Sequence, residues 1–495
     1  MKNILYTSCI FIAFCFTSCK DFLDYPPTNS GDAETAIQTA ADAQVIMRGI
    51  MRKMSSGDYY GRNFPLYGDT KGGDITIIAQ GRGYDYLYVF NHSESSNSYS
   101  SIWSQGYHCL ADINNLLASI EKIKAAGSTE NFDNFVGQAL TARALIYFDL
   151  VRLYGEPYNE NKSSYGVPIT LSLLNAEDNL LRNTVEENYT QILKDLKDAE
   201  TLIVKPTNAA TLTSSRGFLN YYANKAIQAR VYLYMEDFPS ALSAAEEVIN
   251  SNLYTLYSND NWVSSWASEF GTESIFELGI YANEGDLNTT SLGAYYRRRA
   301  HGSSSFLGNF TASDYYLARL NEVSVDVRMG VMAADETSST RLGASYKYSG
   351  STALAGDKKT TNSTAVNIKV VRLSEIYLIA AEAAFRQPSV DLTKTVTYLN
   401  AIRKRAVSLA PATTATVSLD MIANERSKEL FTEGHRYFDM IRWNKTIEFN
   451  DEFGDISTIH REKTIDRTFF KTILPIPLAE INANPEIGNQ QNTGY

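Results

Sequence analysis

The sequence of 495 residues predicts a mainly helical fold, in which stacked pairs of helices form an α-solenoid and large loop-rich insertions form one face. Three observations favour this fold. A motif of alanine, arginine and tyrosine occurs at 139–147 and again at 226–234. Amphipathic helical patterns follow one another between Val371 and Trp443. Between these regions, residues 253–366 combine many Ser, Gly, Asn and Thr with aromatic side chains, which is typical of long functional loops.

The repeated motif reads Ala-x-x-Ala-Arg-x-x-x-Tyr and begins at Ala139 and at Ala226. Alanine at its first and fourth positions lets a neighbouring helix approach closely, and tyrosine fills the next turn. The second copy is followed by a short turn at Asp237 and then by a helix with alanine at four-residue spacing. This arrangement resembles a tetratricopeptide unit, and a further amphipathic run at 185–202 supports the interpretation. We therefore expect a tetratricopeptide-like α-solenoid.

The C-terminal helical region contains an unusual row of acidic residues. Glu425, Glu429 and Glu433 recur every four residues, so a continuous helix would place them on one ridge, where like charges destabilise each other. Arginine pairs with carboxylates through two hydrogen bonds, and the same region supplies candidate partners: Arg403, Arg405, Arg426, Arg436 and Arg442. We expect such pairs to join the helices. A catalytic carboxylate cluster is the alternative, but abundant compensating charge disfavours the raised pKa of a general acid.

The N-terminus has the composition of a secretory signal. One lysine precedes an apolar run that is too short to span a bilayer. The run ends in Phe16-Thr-Ser-Cys19, which resembles the lipobox of bacterial lipoproteins, although phenylalanine replaces the usual leucine. We predict cleavage after residue 18 and lipidation of Cys19, which would anchor the protein to a membrane. An ordinary cleaved signal with an incidental cysteine is the alternative.

Composition and motifs disfavour several functional classes. A net charge of −11 disfavours nucleic acid and anionic lipid as partners. The five histidines form no HExxH motif, and the chain contains neither a Walker A sequence nor a GxSxG motif. The sequence therefore predicts no cofactor and no metal site, and none of these motifs supports an enzyme. Paired carboxylates for glycoside hydrolysis stay open, since their separation in space is not visible in a sequence.

Two loop-rich regions supply candidate ligand-binding residues, because aromatic rings can cover the apolar faces of a sugar while polar groups bond its hydroxyls. Trp262 and Trp266 are four residues apart, so they can also simply pack together. Tyr295 and Tyr296 are the stronger candidates, since successive side chains of an extended loop cannot both face a core. The arginines that follow them could bind an anionic group or form a solvated turn. The full set of candidates is Asp69, Tyr84, Tyr86, Trp262, Trp266, Tyr295, Tyr296 and Arg297.

Motifs along nearly the whole chain occur together in one known family. They are the lipobox, the segment Gly68-Asp69 to Asp74, the pattern Asp326-x-Arg328, the run Glu425-Arg-x-x-Glu-Leu-x-x-Glu-Gly-x-Arg436, and the ending Pro475-Ile-Pro to Gly494-Tyr495. In this combination the chain resembles the SusD/RagB family of Bacteroidetes, which are nutrient-binding lipoproteins of the outer membrane.

The resemblance implies a function, a location and a partner. It implies a lipid-anchored protein on the cell surface, which acts as a lid on a SusC/RagA-like TonB-dependent outer-membrane barrel and captures oligosaccharide or peptide. The loop-rich segments would then form the ligand-binding face of a SusD-like fold. No ligand residue carries over by motif, because the family's ligand residues lie in variable loops. A surface hydrolase and a scaffold that uses only its helical face are the alternatives.

The predicted organisation combines these motifs. Residues 1–18 form the signal peptide, 19–34 a lipidated tether and 35–495 a single SusD-like domain. Within that domain we expect the following segments: tetratricopeptide-like helices at 35–252 with a loop at 57–101, the ligand region at 253–366, C-terminal helices at 367–446 and an extended tail at 447–495.

Overall fold

A computed structural model of the protein describes residues 37–77, 85–175, 177–213, 216–280, 291–298, 308, 310–348, 366–450 and 462–495. The predicted signal peptide and Cys19 lie outside the described residues, as does Tyr84. Among the described residues, no helix is both long enough and apolar enough to cross a bilayer.

Helices dominate the described part of the chain. In chain order they are α1 (Ala40–Met54), α2 (Asn63–Thr70), α3 (Asp85–Tyr88), α4 (Ser100–Ala125), α5 (Asp133–Tyr154), α6 (Tyr158–Asn161), α7 (Val185–Leu202), α8 (Ala209–Thr213), α9 (Tyr221–Met235), α10 (Phe238–Asn250), α11 (Asn259–Ser265), α12 (Leu292–Tyr296), α13 (Asp314–Leu320), α14 (Leu373–Arg386), α15 (Leu392–Arg403), α16 (Leu419–Glu429), α17 (Arg436–Arg442) and α18 (Leu478–Ala483). Short 3-10 turns occur at Val327–Val331, Phe470–Thr472 and Pro485–Gln490.

The strands are short and pair in twos. They are β1 (Ile75–Ile77), β2 (Ser274–Leu278), β3 (Phe310–Ala312), β4 (Met332–Ala333), β5 (Ala344–Ser345), β6 (Ile368–Arg372), β7 (Ile447–Glu448) and β8 (Thr464–Ile465). All the pairs are antiparallel: β1 with β3, β2 with β6, β4 with β5 and β7 with β8.

The long helices form the stacked array that the sequence predicts. Helix α4 packs on α5, α5 on α7, α9 on α10, α10 on α14 and α14 on α15. Glu236 ends α9 in a left-handed conformation, and the Asp237 side chain accepts a hydrogen bond from the Ser240 N–H to cap α10. The tetratricopeptide-like, mainly helical fold is therefore confirmed. The four alanines of the repeated motif are fully buried, as close helix packing requires: Ala139, Ala142, Ala226 and Ala229.

The arginines of the two motif copies have the same role. Arg143 of α5 donates two hydrogen bonds of 2.8 Å to the Asp195 carboxylate of α7. Arg230 of α9 binds Glu375 of α14 in the same bidentate way, at 2.7 and 2.6 Å. All four side chains are buried, so each guanidinium neutralises a carboxylate that would otherwise be unpaired in the interior. The repeat thus places one ion pair between neighbouring helices at two levels of the solenoid.

The acidic row does not lie on one helix. Helix α16 ends at Glu429, and α17 begins at Arg436. Thr432 and Gly434 between them have φ values of 63° and 81°, in the left-handed region, and such residues interrupt an α-helix. Glu433 therefore lies in the connecting turn, and the expectation of a continuous acidic ridge is wrong.

Other differences from the predicted elements have a common cause. The sequence predicts loops and short strands at 57–101, but α2 lies there with all eight of its residues buried. A helix that is buried on every side shows no one-sided apolar periodicity, so its sequence pattern does not predict a helix. The tail predicted to be extended also contains α18 and a 3-10 turn at Pro485–Gln490, which are too short to show a period.

Candidate functional site

The two loop-rich regions predicted from the sequence, 57–101 and 253–366, meet at Asp69, near the end of α2. The hydroxyl of Tyr296 at the end of α12 donates a hydrogen bond of 2.8 Å to Asp69 Oδ2, and the Gly434 N–H donates one of 2.8 Å to Oδ1. Burial raises the pKa of the Asp69 carboxyl well above its usual value, although both hydrogen bonds favour ionisation. The regions converge as predicted, but Asp69 and Tyr296 are each only 2% exposed. Their contact therefore holds the regions together from the inside.

Two glycines permit this junction. A Cβ atom on Gly68 would lie 2.1 Å from the carbonyl oxygen of Gly434, a distance that no side chain tolerates. Gly434 has a φ of 81°, and a Cβ there would lie 2.6 Å from the Cα atom of Pro65. A larger residue at either position would have to separate α2 from the turn that carries Glu433.

Tyr295 and Tyr296 do not lie in an extended loop. They end the short helix α12, which packs against β3 and β5. Successive side chains of a helix are about 100° apart, so both rings can turn inwards; their centroids lie 5.8 and 6.4 Å from that of Phe310. Arg297 is also fully buried, with its guanidinium carbon 5.4 Å from the centre of the Tyr346 ring. The expectation that the tyrosine pair must present a ring to solvent is wrong, because the segment is helical.

Trp262 and Trp266 pack against each other. The structure thus agrees with the packing interpretation of this pair and not with direct ligand contact. Their ring centroids lie 5.7 Å apart at an interplanar angle of 71°, and both side chains are buried. The indole N–H of Trp262 donates a hydrogen bond of 3.4 Å to Glu429 Oε1. Lys347 Nζ lies 4.6 Å from the centre of the Trp266 ring, close enough for a cation–π contact. The two tryptophans therefore cover a group of buried charges rather than an open surface.

These charges form a buried charge cluster, which we define as Arg328, Lys347, Arg372, Glu425, Glu429 and Glu433. Arg372 is its centre, with Nη1 2.7 Å from Glu429 Oε1 and Nε 2.6 Å from Glu433 Oε2. Lys347 Nζ lies 2.7 Å from Glu433 Oε1. Burial opposes ionisation of both glutamates, but the charge of Arg372 and its neighbours outweighs burial and lowers both pKa values. The glutamates are therefore ionised at neutral pH and hold no proton for acid catalysis.

Sequence reasoning identified the acids of this cluster and two of their more distant partners, Arg403 at 3.7 Å from Glu425 and Arg405 at 3.9 Å from Glu429. It missed the closer cations, which are Arg328, Lys347 and Arg372. Arg328 pairs with Glu425 at 2.6 Å, although 97 residues separate them. The signal for Arg328 is the pattern Asp326-x-Arg328, since Asp326 binds the same guanidinium through both carboxylate oxygens. Lys347 shows no comparable signal. Among the described residues, no three His, Cys, Asp or Glu side chains come close enough together to hold a metal ion.

Tyr86 in α3 differs from the other described candidates, because its side chain is 49% exposed while the others are buried. It follows the stretch 78–84, which contains Tyr84 and lies outside the described residues. The strands next to 78–84 and to the other stretches outside the described residues pair with each other. Ile77 of β1 pairs with Phe310 of β3, and Leu278 of β2 pairs with Ile368 of β6. Four stretches outside the described residues begin from such elements: 78–84, 281–290, 299–307 and 349–365. The strand pairs, the Asp69–Tyr296 hydrogen bond and the contact between Trp266 and Tyr348 hold these elements close to one another.

Comparison with known proteins assigns the chain to a family. A model described as "SusD family" matches residues 252–495, and one described as "Starch-binding associating with outer membrane" matches residues 21–233. The structure of a SusD superfamily protein from Bacteroides vulgatus is 30% identical, covers 93% of this chain and 100% of its own, and superposes with a TM-score of 0.81. The chain belongs to the SusD family.

Other relatives match along nearly the whole length of the chain. A structure from Bacteroides vulgatus described as a putative sugar binding protein is 29% identical, covers 93% of this chain and 100% of its own, and has a TM-score of 0.79. SusD-like protein P25 of Formosa agariphila is 22% identical over 557 residues, which span 98% of each chain. The predicted membership of the SusD/RagB family is thus confirmed.

Proposed function

We propose that this SusD-family protein captures oligosaccharide at the cell surface for import through a SusC/RagA-like TonB-dependent outer-membrane barrel. The observation that carries the proposal is the junction of two aromatic-rich loop regions at Asp69 and Tyr296. Such an arrangement supports several loops on one face, where they can surround a ligand together. The matching family model described as starch-binding, and the relative described as a putative sugar binding protein, favour a carbohydrate over other ligands.

The proposed ligand contacts are the aromatic side chains at the edge of this face. Tyr86 is exposed, and Tyr84 is two residues before it. Asp69, Trp262, Trp266, Tyr295, Tyr296 and Arg297 are buried and act behind this surface, where they fix the elements that carry the loops. In this proposal a sugar stacks on Tyr86 and Tyr84, and the buried residues fix the elements from which the loops begin.

We propose binding without catalysis. Glycoside hydrolysis requires a carboxylic acid that holds its proton near neutral pH, close to a second carboxylate. Glu429 and Glu433 have lowered pKa values and pair with Arg372, so they do not fit that role. Asp69 has a raised pKa, but both its oxygens accept hydrogen bonds inside the protein and a substrate has no access to them.

The proposed location is the outer membrane, with the protein anchored by acyl chains on Cys19. The sequence before this residue supports it, and one matching family model is described as associating with the outer membrane. The anchor and the loop-rich face together suit a lid that can open and close over a barrel while staying attached to the same membrane.

A ligand screen tests the proposal. The mature protein is run on native gels that contain single polysaccharides, and peptides are titrated into it by calorimetry. We expect retarded migration in at least one polysaccharide. Binding of peptides alone would assign the same face to peptide capture, and released product from any glycan would favour a hydrolase.

A further inference from the structure

A cleft lies among the helices of the solenoid, away from the loop-rich face. Its walls come from α1, from the first turns of α5 and from the connection between α7 and α9, and its cavity volume is about 330 Å³. This is within the range of ligand pockets in proteins, which is roughly 300–1,000 Å³. None of the elements that meet at Asp69 contributes to it, and none of the ligand residues predicted from the sequence lines it.

Close packing fixes one wall of this cleft. Gly137 of α5 has no side chain, so Ile203 at the end of α7 can lie directly on the helix; a Cβ on Gly137 would be 2.4 Å from Cγ1 of Ile203. The connection that follows turns back over α5 and brings Val204, Pro206 and Phe218 to the cleft. Phe218 is also held from the α1 side, with the Arg48 guanidinium carbon 6.0 Å from its ring centre.

The lining combines aromatic rings with side-chain amides. Phe135 and Phe218 are both partly exposed in the cleft, and Gln44, Asn134 and Gln138 provide amide groups. No charged side chain is among the described residues that line it. A ligand with a net charge would therefore lose water without gaining a counter-charge, so the composition favours a neutral ligand.

Gln138 gives the strongest indication of a ligand. It is only 5% exposed, and its Oε1 atom is buried without a hydrogen-bond partner among the described residues. Buried polar atoms are nearly always hydrogen-bonded, so an unpartnered acceptor at a cleft wall marks a place where a donor is missing.

We propose that this cleft binds one neutral sugar ring. The C–H face of a pyranose fits against the rings of Phe135 and Phe218, as aromatic side chains suit surfaces that are apolar in the middle and polar at the edge. A ring hydroxyl donates to Gln138 Oε1, and other hydroxyls exchange hydrogen bonds with the amides of Gln44 and Asn134, because a hydroxyl both donates and accepts. The site stands independently of oligosaccharide capture at the loop-rich face, since the two share no residue.

Saturation-transfer NMR on the full mature protein tests this proposal. The probes are the methyl glycosides of glucose, galactose, mannose and xylose, added one at a time. We expect at least one to receive saturation on its ring protons. The signal should fall at least about fivefold in the double variant Phe135→Ala/Phe218→Ala and in Gln138→Leu, and should persist in Tyr86→Ala, which alters the loop-rich face instead.

The outcomes separate the two sites. The proposal is overturned if none of the four glycosides binds, if the cleft variants bind like wild type, or if only Tyr86→Ala loses the signal. Phe135 and Phe218 are partly exposed, and a melting curve checks that the double variant still folds. If Gln138→Leu does not fold, Gln44→Ala/Asn134→Ala removes partly exposed amides of the same cleft and is expected to reduce the signal in the same way.

Discussion

The Tyr296 hydroxyl donates a 2.8 Å hydrogen bond to the Asp69 carboxylate across 227 residues of sequence. This bond joins the end of α12 to the end of α2, and both side chains are almost completely buried. Residues that look like ligand contacts in the sequence thus hold the loop-rich face together from beneath. Substitution of the buried candidates should therefore lower the stability of the protein, whereas substitution of the exposed candidate Tyr86 should weaken ligand binding.

Removing the Tyr296 hydroxyl tests the buried junction. Tyr296→Phe keeps the ring but leaves Asp69 Oδ2 without its donor in the interior, so the free energy of unfolding should fall by about 1–3 kcal/mol. Urea denaturation followed by circular dichroism measures the change. The matched control is Tyr315→Phe, at a tyrosine that is 42% exposed, which should leave stability unchanged. Equal stability of Tyr296→Phe and wild type would contradict the role of this bond.

The buried charge cluster should contribute to stability rather than to binding. Glu429→Ala leaves Arg372 without one of its carboxylate partners in the interior, which should lower the free energy of unfolding by about 3–5 kcal/mol. Glu186→Ala provides the control, because Glu186 and its partner Lys162, 2.6 Å away, are 49% and 51% exposed, and an exposed ion pair contributes little. A Glu429→Ala protein with normal melting and abolished ligand binding would show that the cluster is functional instead.

Acid should destabilise the protein partly through Glu382. Burial opposes its ionisation, but the charge of Arg442, bound at 2.5 and 2.7 Å, prevails and lowers its pKa from 4.5 to about 2. Because the pKa is lower in the folded state, this stabilisation is complete above about pH 4.5 and is lost as the pH falls towards 2. The change in pKa corresponds to about 3 kcal/mol.

Urea denaturation between pH 2.5 and pH 7 measures this loss. Glu382→Gln should be less stable than wild type at pH 7 and should lose less stability on acidification, since its amide does not titrate. Glu186→Gln serves as the exposed control. Identical pH dependence of Glu382→Gln and wild type would assign the acid sensitivity to other groups.

The proposed anchor depends on a single residue. Cys19→Ala removes the acylation site, and acyl chains stabilise membrane attachment by about 0.8 kcal/mol per buried CH₂ group. The variant should fold normally but move from the detergent phase to the aqueous phase in a phase-partition assay. The assay is made without the barrel, so that binding to a partner does not retain the protein. Continued partition into detergent would contradict anchoring through Cys19.

The sequence predicted the helical stack well, because its helices are long and bury one side. The alanines at 139 and 226 and the turn at Asp237 identified the repeat from local chemistry alone. By contrast, α2 is buried on all sides and α12 is only five residues long, so neither displays a helical period. Treating Tyr295 and Tyr296 as part of an extended loop then wrongly predicted that one of their rings faces solvent.

The ion pairs show a second limit of the sequence. The row Glu425, Glu429 and Glu433 indicated that cations must lie nearby, and that inference holds. Which cations they are depends on tertiary packing, since Arg328 and Lys347 come from the loop-rich region. The cleft at Gln138 had no sequence signal either, because its lining residues come from three separate stretches of chain.

Capture of oligosaccharide at the loop-rich face is tested most directly by calorimetry with a glycan from the native-gel screen. The double variant Tyr84→Ala/Tyr86→Ala should bind it at least about tenfold more weakly, or ~1.4 kcal/mol, with an unchanged melting temperature. Tyr165→Ala is the matched control, since Tyr165 is a tyrosine of similar exposure on the segment between α6 and α7, and it should bind like wild type. Wild-type affinity of the double variant would place the ligand elsewhere on the protein.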